Sequence, residues 1–107
     1  MPYILTKAWW PSDKTPEVVG KAFELFPKFP PDPSISENVV QNCIKATDKG
    51  IMNITIAEVK KGKLEEALEN TQKYWVELNS VVGLEYSIEV WMNAVEAFGA
   101  IGKKPPE

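Results

Sequence analysis

Apolar and polar side chains alternate along residues 84–92, near the C-terminal end of the chain. One set comprises Leu84, Tyr86, Ile88, Val90 and Met92, and the other comprises Glu85, Ser87, Glu89 and Trp91. Successive side chains of a β-strand point to opposite faces of its sheet. The alternation therefore predicts a strand with one face toward a core and the other face largely polar.

A helical period runs through residues 62–81 and predicts the longest helix. Its apolar stripe comprises Leu64, Ala67, Leu68, Thr71, Tyr74, Trp75, Leu78 and Val81. Charged residues occupy the other positions, and Gly83 suits the left-handed conformation that ends a helix. A shorter helix is predicted to begin with Thr15 as its N-cap and Pro16 in its first turn, and to end near Pro27.

Three further strands are predicted. Residues 3–10 are rich in aromatic and aliphatic side chains, and residues 38–47 and 51–60 form two β-rich runs. The link between these runs, Asp48-Lys49-Gly50, predicts an antiparallel hairpin. Four prolines exclude regular structure from residues 27–36.

The C-terminal residues predict a short helix. Asn93 and Glu96 have the spacing of a capping box, and Gly102, Lys103, Lys104 and Pro105 supply a stop.

The order β-α-β-β-α-β predicts a single α+β domain of the ferredoxin-like type over residues 1–107. In that arrangement two helices lie on one face of a four-stranded antiparallel sheet and the other face is open. We expect the open face to carry Glu85, Ser87, Glu89 and Trp91, together with Gln41, Cys43, Lys45, Asn53 and Thr55 from the hairpin. The apolar hairpin residues Val40, Ile44, Ile54 and Ile56 are expected in the core. Either Trp9 or Trp10 adds an indole ring to the open face, because the phase of the first strand is ambiguous.

Composition narrows the classes of partner and of chemistry. A net charge of −3 without a run of like charge argues against nucleic acid and membrane as partners. The single cysteine, Cys43, cannot form an internal disulfide, and residues 1–7 do not resemble a signal peptide, so we predict a cytoplasmic protein. Histidine is absent, which removes the usual catalytic base and the commonest metal ligand. No cofactor and no metal is predicted.

The order of elements resembles that of the dimeric α+β barrel proteins. The stretch Glu58-Val59-Lys60-Lys61-Gly62-Lys63-Leu64-Glu65-Glu66-Ala67 is similar to the strand-to-helix junction of small uncharacterised members of that superfamily. The resemblance implies that two subunits pack sheet against sheet and can enclose a cavity. The superfamily includes cofactor-free monooxygenases, haem-degrading enzymes and polyketide cyclases, so it implies a scaffold and not one reaction.

The candidate pocket or interface residues are Glu85, Glu89, Trp91, Asn53, Trp9 and Trp10. Glu85 and Glu89 are roughly 13 Å apart along a strand, too far to act as one acid/base pair. Either carboxylate could act alone as a base or form a salt bridge to Lys7 or Lys45. The indoles suit dimer packing or ligand stacking, whereas Trp75 is expected in the core and Cys43 as a buried or half-buried thiol.

Three functions are compatible with these residues. The first is a homodimeric module, structural or binding a small apolar or aromatic molecule, whose open face is the interface. The second is a cofactor-independent enzyme, similar to a monooxygenase or cyclase, with Glu85 or Glu89 as base and Asn53, Tyr86 or a tryptophan orienting the substrate. The third is a subunit or regulator that binds a different protein.

Overall fold

In the computed structural model, which describes residues 1–103, four strands and three α-helices follow one another in the predicted order. The strands are β1 (Tyr3–Trp10), β2 (Ser36–Thr47), β3 (Gly50–Val59) and β4 (Glu85–Trp91). The helices are α1 (Thr15–Leu25), α2 (Leu64–Leu78) and α3 (Ala94–Ala100). The prediction of an α+β domain with these elements is confirmed. The predicted stop residues Lys104 and Pro105 lie outside the described residues.

The four strands form one antiparallel sheet with the order β2-β3-β1-β4. Strand β1 is central, since it pairs with β3 on one side and with β4 on the other. Its residue Tyr3 is level with Glu58 and Trp91, and its residue Trp9 is level with Met52 and Glu85. Directly paired residues of antiparallel strands point to the same face, so this register assigns each paired side chain to a face.

The main core lies between one face of the sheet and helices α1 and α2. Its buried residues are Ala8, Trp10, Val18, Leu25, Trp75, Leu78, Val81 and Leu84. Both helices contribute to this cluster, so both pack on what we call the helix-covered face. Trp75 is in the core as predicted, and its ring stacks on that of Tyr86 with the centroids 5.9 Å apart.

The start of α1 differs from the prediction. A 3-10 turn over Ser12–Lys14 leads directly into the helix, so Thr15 is the first helical residue and Lys14 takes the N-cap position without a side-chain hydrogen bond. The Thr15 hydroxyl donates to the carbonyl oxygen of Ser12 at 2.9 Å and accepts from the indole Nε1 of Trp10 at 3.1 Å. The predicted cap is wrong because this hydroxyl is used to fix a core indole.

The phase predicted for the β2-β3 hairpin is largely wrong. Ile54 and Ile56 pair with Lys7 and Leu5 and lie on the open face, whereas Asn53 is level with the fully buried Ala8. Thr55 lies on the helix-covered face with Asn53, and Val40 lies on the open face with Ile56. The prediction assigned apolar side chains to the helices, but β3 has apolar side chains on both faces.

A β-bulge in β2 adds to the error. The register with β3 shifts twice, between Asn38 and Val40 and between Val40 and Cys43, and Asn42 within the second interval has a φ of 54°. Each extra residue changes the phase of the strand. Val40, Cys43 and Lys45 therefore share the open face although their spacing does not follow strict alternation.

Helix α3 begins at the predicted capping box. The side chain of Asn93 accepts from the backbone N–H of Glu96 at 2.8 Å, and the carboxylate of Glu96 accepts from the backbone N–H of Asn93 at 3.0 Å. The N-terminal ammonium of Met1 lies 3.1 Å from the same carboxylate. The start of α3 is therefore tied to the start of β1, although no residue of this helix is buried.

Among the described residues, no helix has both the length and the apolar character that crossing a membrane requires.

Candidate binding face of the sheet

The face opposite the two large helices presents a grid of four strands by four rows, which we call the open face. Row 1 contains Glu85, Trp9, Met52 and Lys45, and row 2 contains Ser87, Lys7, Ile54 and Cys43. Row 3 contains Glu89, Leu5, Ile56 and Val40, and row 4 contains Trp91, Tyr3, Glu58 and Glu37. No α-helix of the described chain contributes core residues to this face.

Rows 3 and 4 contain an apolar depression of about 390 Å³. It is lined by Tyr3, Leu5, Val39, Val40, Ile56, Trp91 and Met92. The phenol ring of Tyr3 and the indole ring of Trp91 lie in row 4, and the other lining residues are branched aliphatic side chains and Met92. Aromatic and aliphatic linings with few polar groups are typical of small-molecule sites and of interface centres.

Glu89 borders the depression and is fully engaged in polar contacts. One of its carboxylate oxygens accepts from the indole Nε1 of Trp91 at 2.9 Å, and the other lies 3.4 Å from the ammonium of Lys7. The indole hydrogen bond, followed by the charge of Lys7, holds the pKa of Glu89 below its usual range. The carboxylate is therefore ionised near neutral pH and is a weak proton acceptor.

Glu85 is engaged with a different indole. Its carboxylate accepts from Nε1 of Trp9 at 3.1 Å, at the far end of the open face from the depression. Each of the two glutamates thus holds one tryptophan ring in place by a hydrogen bond. The pairing fixes the orientation of two large side chains that are 38% (Trp9) and 53% (Trp91) exposed.

The structure separates the six candidate residues into two groups. Glu85, Glu89, Trp91 and Trp9 lie on the open face. Trp10 and Asn53 lie on the helix-covered face and are buried, with 6% and 4% of their surface exposed. The ambiguity between the two adjacent tryptophans is thereby resolved in favour of Trp9. The prediction that Asn53 belongs to the open face is wrong, because the register with β1 places it level with a core alanine.

Cys43 lies on the open face, but its thiol is exposed, not buried or half-buried as predicted. Strand β2 lies at one edge of the sheet, and nearly all of its residues are exposed, whichever face of the sheet they lie on. A residue in the middle of an edge strand lacks the neighbour that would cover it on one side.

Six residues of the depression were not among the candidates from sequence: Tyr3, Leu5, Val39, Val40, Ile56 and Met92. Tyr3 and Leu5 share the open face with Lys7 and Trp9, so this face of β1 carries both apolar and polar side chains. The sequence of β1 therefore does not indicate that Tyr3 and Leu5 lie on the open face. A usable signal was present in β3, where isoleucines occur at both odd and even positions. Apolar side chains on both faces of a strand indicate a sheet that is covered on both sides.

Within residues 1–103, no three Cys, Asp or Glu side chains are grouped closely enough to hold a metal ion. Comparison with protein-family models, curated proteins and solved structures finds no match to this chain.

Proposed function

We propose that this protein is a homodimeric module of the dimeric α+β barrel type, whose two open faces pack together around a site for a small apolar or aromatic molecule. The observation that carries the proposal is the apolar depression in rows 3 and 4 of the open face. The strand order β2-β3-β1-β4, with both long helices on the other face, is the order expected for a ferredoxin-like subunit. Exposed apolar patches with a polar border are typical of interaction surfaces.

The grid suggests how two copies would meet. A two-fold axis that runs between the sheets, parallel to the strands, lays each row on the same row of the second copy and lays β2 over β4. Leu5 then faces Ile56 of the second copy, so that the apolar centre of row 3 is buried against itself, and Glu89 lies over Val40 of the second copy. In row 1, the ammonium of Lys45 approaches the carboxylate of Glu85 from the other copy. The two depressions face each other and become a common interior.

We place a binding role ahead of an enzyme with a glutamate base. Glu89 borders the depression, yet one of its oxygens is hydrogen-bonded, the other is ion-paired, and its pKa is lowered, which together make it a poor base. Glu85 lies at the other end of the grid, away from the depression. Neither of the two glutamates predicted as a base therefore offers an unengaged carboxylate beside the apolar lining.

Sedimentation velocity tests the interface. Wild-type protein is expected at twice the chain mass of 12.0 kDa. Lys45→Glu and Glu85→Lys should each weaken the dimer, because each brings like charges together in row 1, and the double variant should restore it. Phe23→Asp is the matched control, since Phe23 is 76% exposed on α1 away from the open face. A monomeric wild-type protein would refute the homodimer and favour a different protein as partner.

Fluorescence titration tests the ligand site. An apolar naphthalene dye should bind to the wild-type dimer, and Ile56→Glu should abolish binding by placing a charge in the lining of the depression. Thr47→Glu, at the other end of the hairpin, serves as the control. If the dye binds neither to the wild-type protein nor to the control while both are dimers, the depressions are filled by side chains and the module is structural.

A further inference from the structure

Helix α3 carries apolar side chains that its own chain covers only in part, since Phe98 is half-buried but its apolar neighbours are exposed. Val95, Phe98 and Ile101 recur every three residues and so lie toward one side of it, and Val95 and Ile101 are both 66% exposed. Helices of fewer than about 12 residues are marginal in water unless they pack against other structure. Only the first turn of α3 is anchored, by its capping box and by the N-terminus. The remainder of α3 needs a partner surface.

A second uncovered feature lies at the beginning of β2. A groove of about 420 Å³ is formed there by the proline-containing loop that precedes the strand and by the first residues of the strand. Pro31 and Pro33 contribute apolar surface, whereas Asp32 and Glu37 contribute negative charge. The carboxylate of Asp32 is held in place by Ser34, whose hydroxyl and backbone N–H donate to it at 2.6 Å and 3.0 Å.

We propose that α3 of one copy docks in this groove of the second copy, so that the two subunits exchange their C-terminal helices. This inference rests on the proposed homodimer. With the two-fold axis parallel to the strands, Glu37 of one copy lies over Trp91 of the other, and α3 begins three residues after Trp91. The groove of the same chain is on the opposite edge of the sheet, three strand spacings or about 14 Å away. The groove of the second copy is therefore the nearer one.

Asp32 in the groove and Lys103 after α3 carry opposite charges, whereas Glu37 is paired with Lys60 of its own chain at 3.5 Å. The end of α3 is fixed by a hydrogen bond of 2.8 Å from the backbone N–H of Lys103 to the carbonyl oxygen of Phe98. This bond places the backbone of Lys103 directly after the apolar side of the helix. In the docked arrangement Lys103 approaches Asp32, and Val95, Phe98 and Ile101 meet the proline rings.

The area of the open face supports the exchange. Four strands about 4.8 Å apart and four rows about 6.8 Å apart give a flat footprint of about 500 Å². A stable dimer buries about 800 Å² per partner. The flat footprint of the open face is thus smaller than the interface of a standard stable dimer, and one docked helix per subunit adds to it on both sides of the two-fold axis.

Cross-linking tests the exchange in the full-length chain. In a Cys43→Ser background, the pair Ile101→Cys and Pro33→Cys should give a covalent dimer with a short bis-maleimide on a denaturing gel. The control pair Ile101→Cys and Lys49→Cys, with the second thiol at the distant hairpin turn, should stay monomeric on the same gel. Equal yields for the two pairs, or no covalent dimer from a protein that sediments as a dimer, would overturn the exchange and leave the homodimer standing.

A second measurement does not depend on added thiols. Val95→Asp should raise the dissociation constant of the dimer at least tenfold, whereas Val82→Asp should leave it unchanged. Val82 is 75% exposed and precedes β4, at the opposite end of the sheet from α3. Identical dissociation constants for the two variants would also overturn the exchange. A wild-type chain that sediments as a monomer would refute the homodimer itself, and the exchange with it.

Discussion

Replacing Asn53 by valine is expected to stabilise the protein, although it removes a polar side chain that makes a hydrogen bond. Asn53 is 4% exposed, and its Oδ1 is buried without a hydrogen-bond partner. The amide Nδ2 donates to the side-chain oxygen of Asn42 across 3.5 Å, which is a long and weak hydrogen bond. Asn42 is exposed, so water replaces this contact when it is lost.

The expected magnitude follows from the unpaired oxygen. A buried carbonyl oxygen without a partner costs about 1–3 kcal/mol, and valine also favours the extended backbone of a strand. An unfolding entropy of about 2.1 cal/mol/K per residue gives about 0.22 kcal/mol/K for the 107 residues of the chain. Asn53→Val should therefore raise the Tm by about 4–13 °C at fixed protein concentration.

Urea and thermal unfolding, followed by far-UV circular dichroism, measure the change. Asn38→Val is the control, because Asn38 also lies on the helix-covered side of the sheet but is exposed on the edge strand. Its free energy of unfolding should stay within about 0.5 kcal/mol of wild type. An unchanged or lower Tm for Asn53→Val would refute the reasoning. It would mean that a bound water satisfies the oxygen, or that Asn53 does not face the helices.

Two further predictions concern backbone geometry and pH. Gly50→Ala should destabilise the protein by more than about 1 kcal/mol, since φ at Gly50 is 129° and an added Cβ would overlap the carbonyl oxygen of Trp10. Gly20→Ala, in α1 with no atom near the added methyl group, should instead stabilise the protein by about 0.5–1 kcal/mol. Chemical denaturation of both variants checks that their free energies of unfolding change in opposite directions. The backbone N–H of Asn93, followed by the N-terminal ammonium, lowers the pKa of Glu96 from its ordinary 4.5. The stabilisation of α3 by this carboxylate is thus complete above pH 4.5 and is lost as the pH falls through the lowered pKa. An NMR titration of Glu96 with a midpoint at or above 4.5 would contradict this prediction.

The sequence alone was sufficient for the order of the strands and long helices and for the two faces of β4. Alternation in β4 separates Glu85, Glu89 and Trp91 from Tyr86 and Ile88, and the register confirms that separation. The capping box at Asn93 was also readable, because its two hydrogen bonds join residues three positions apart. Such features depend on local spacing, which the chain carries within a few neighbouring residues.

Only the tertiary structure decided which face of the hairpin meets the helices. Ile54 and Asn53 are adjacent, and local pattern favoured the isoleucine for the core, yet pairing with Lys7 and Ala8 sets the opposite phase. A bulge beside Asn42 then changes the phase within β2. Strand register is a long-range property, fixed by partners more than forty residues away. A sheet with apolar side chains on both faces gives the local pattern no means of choosing between them.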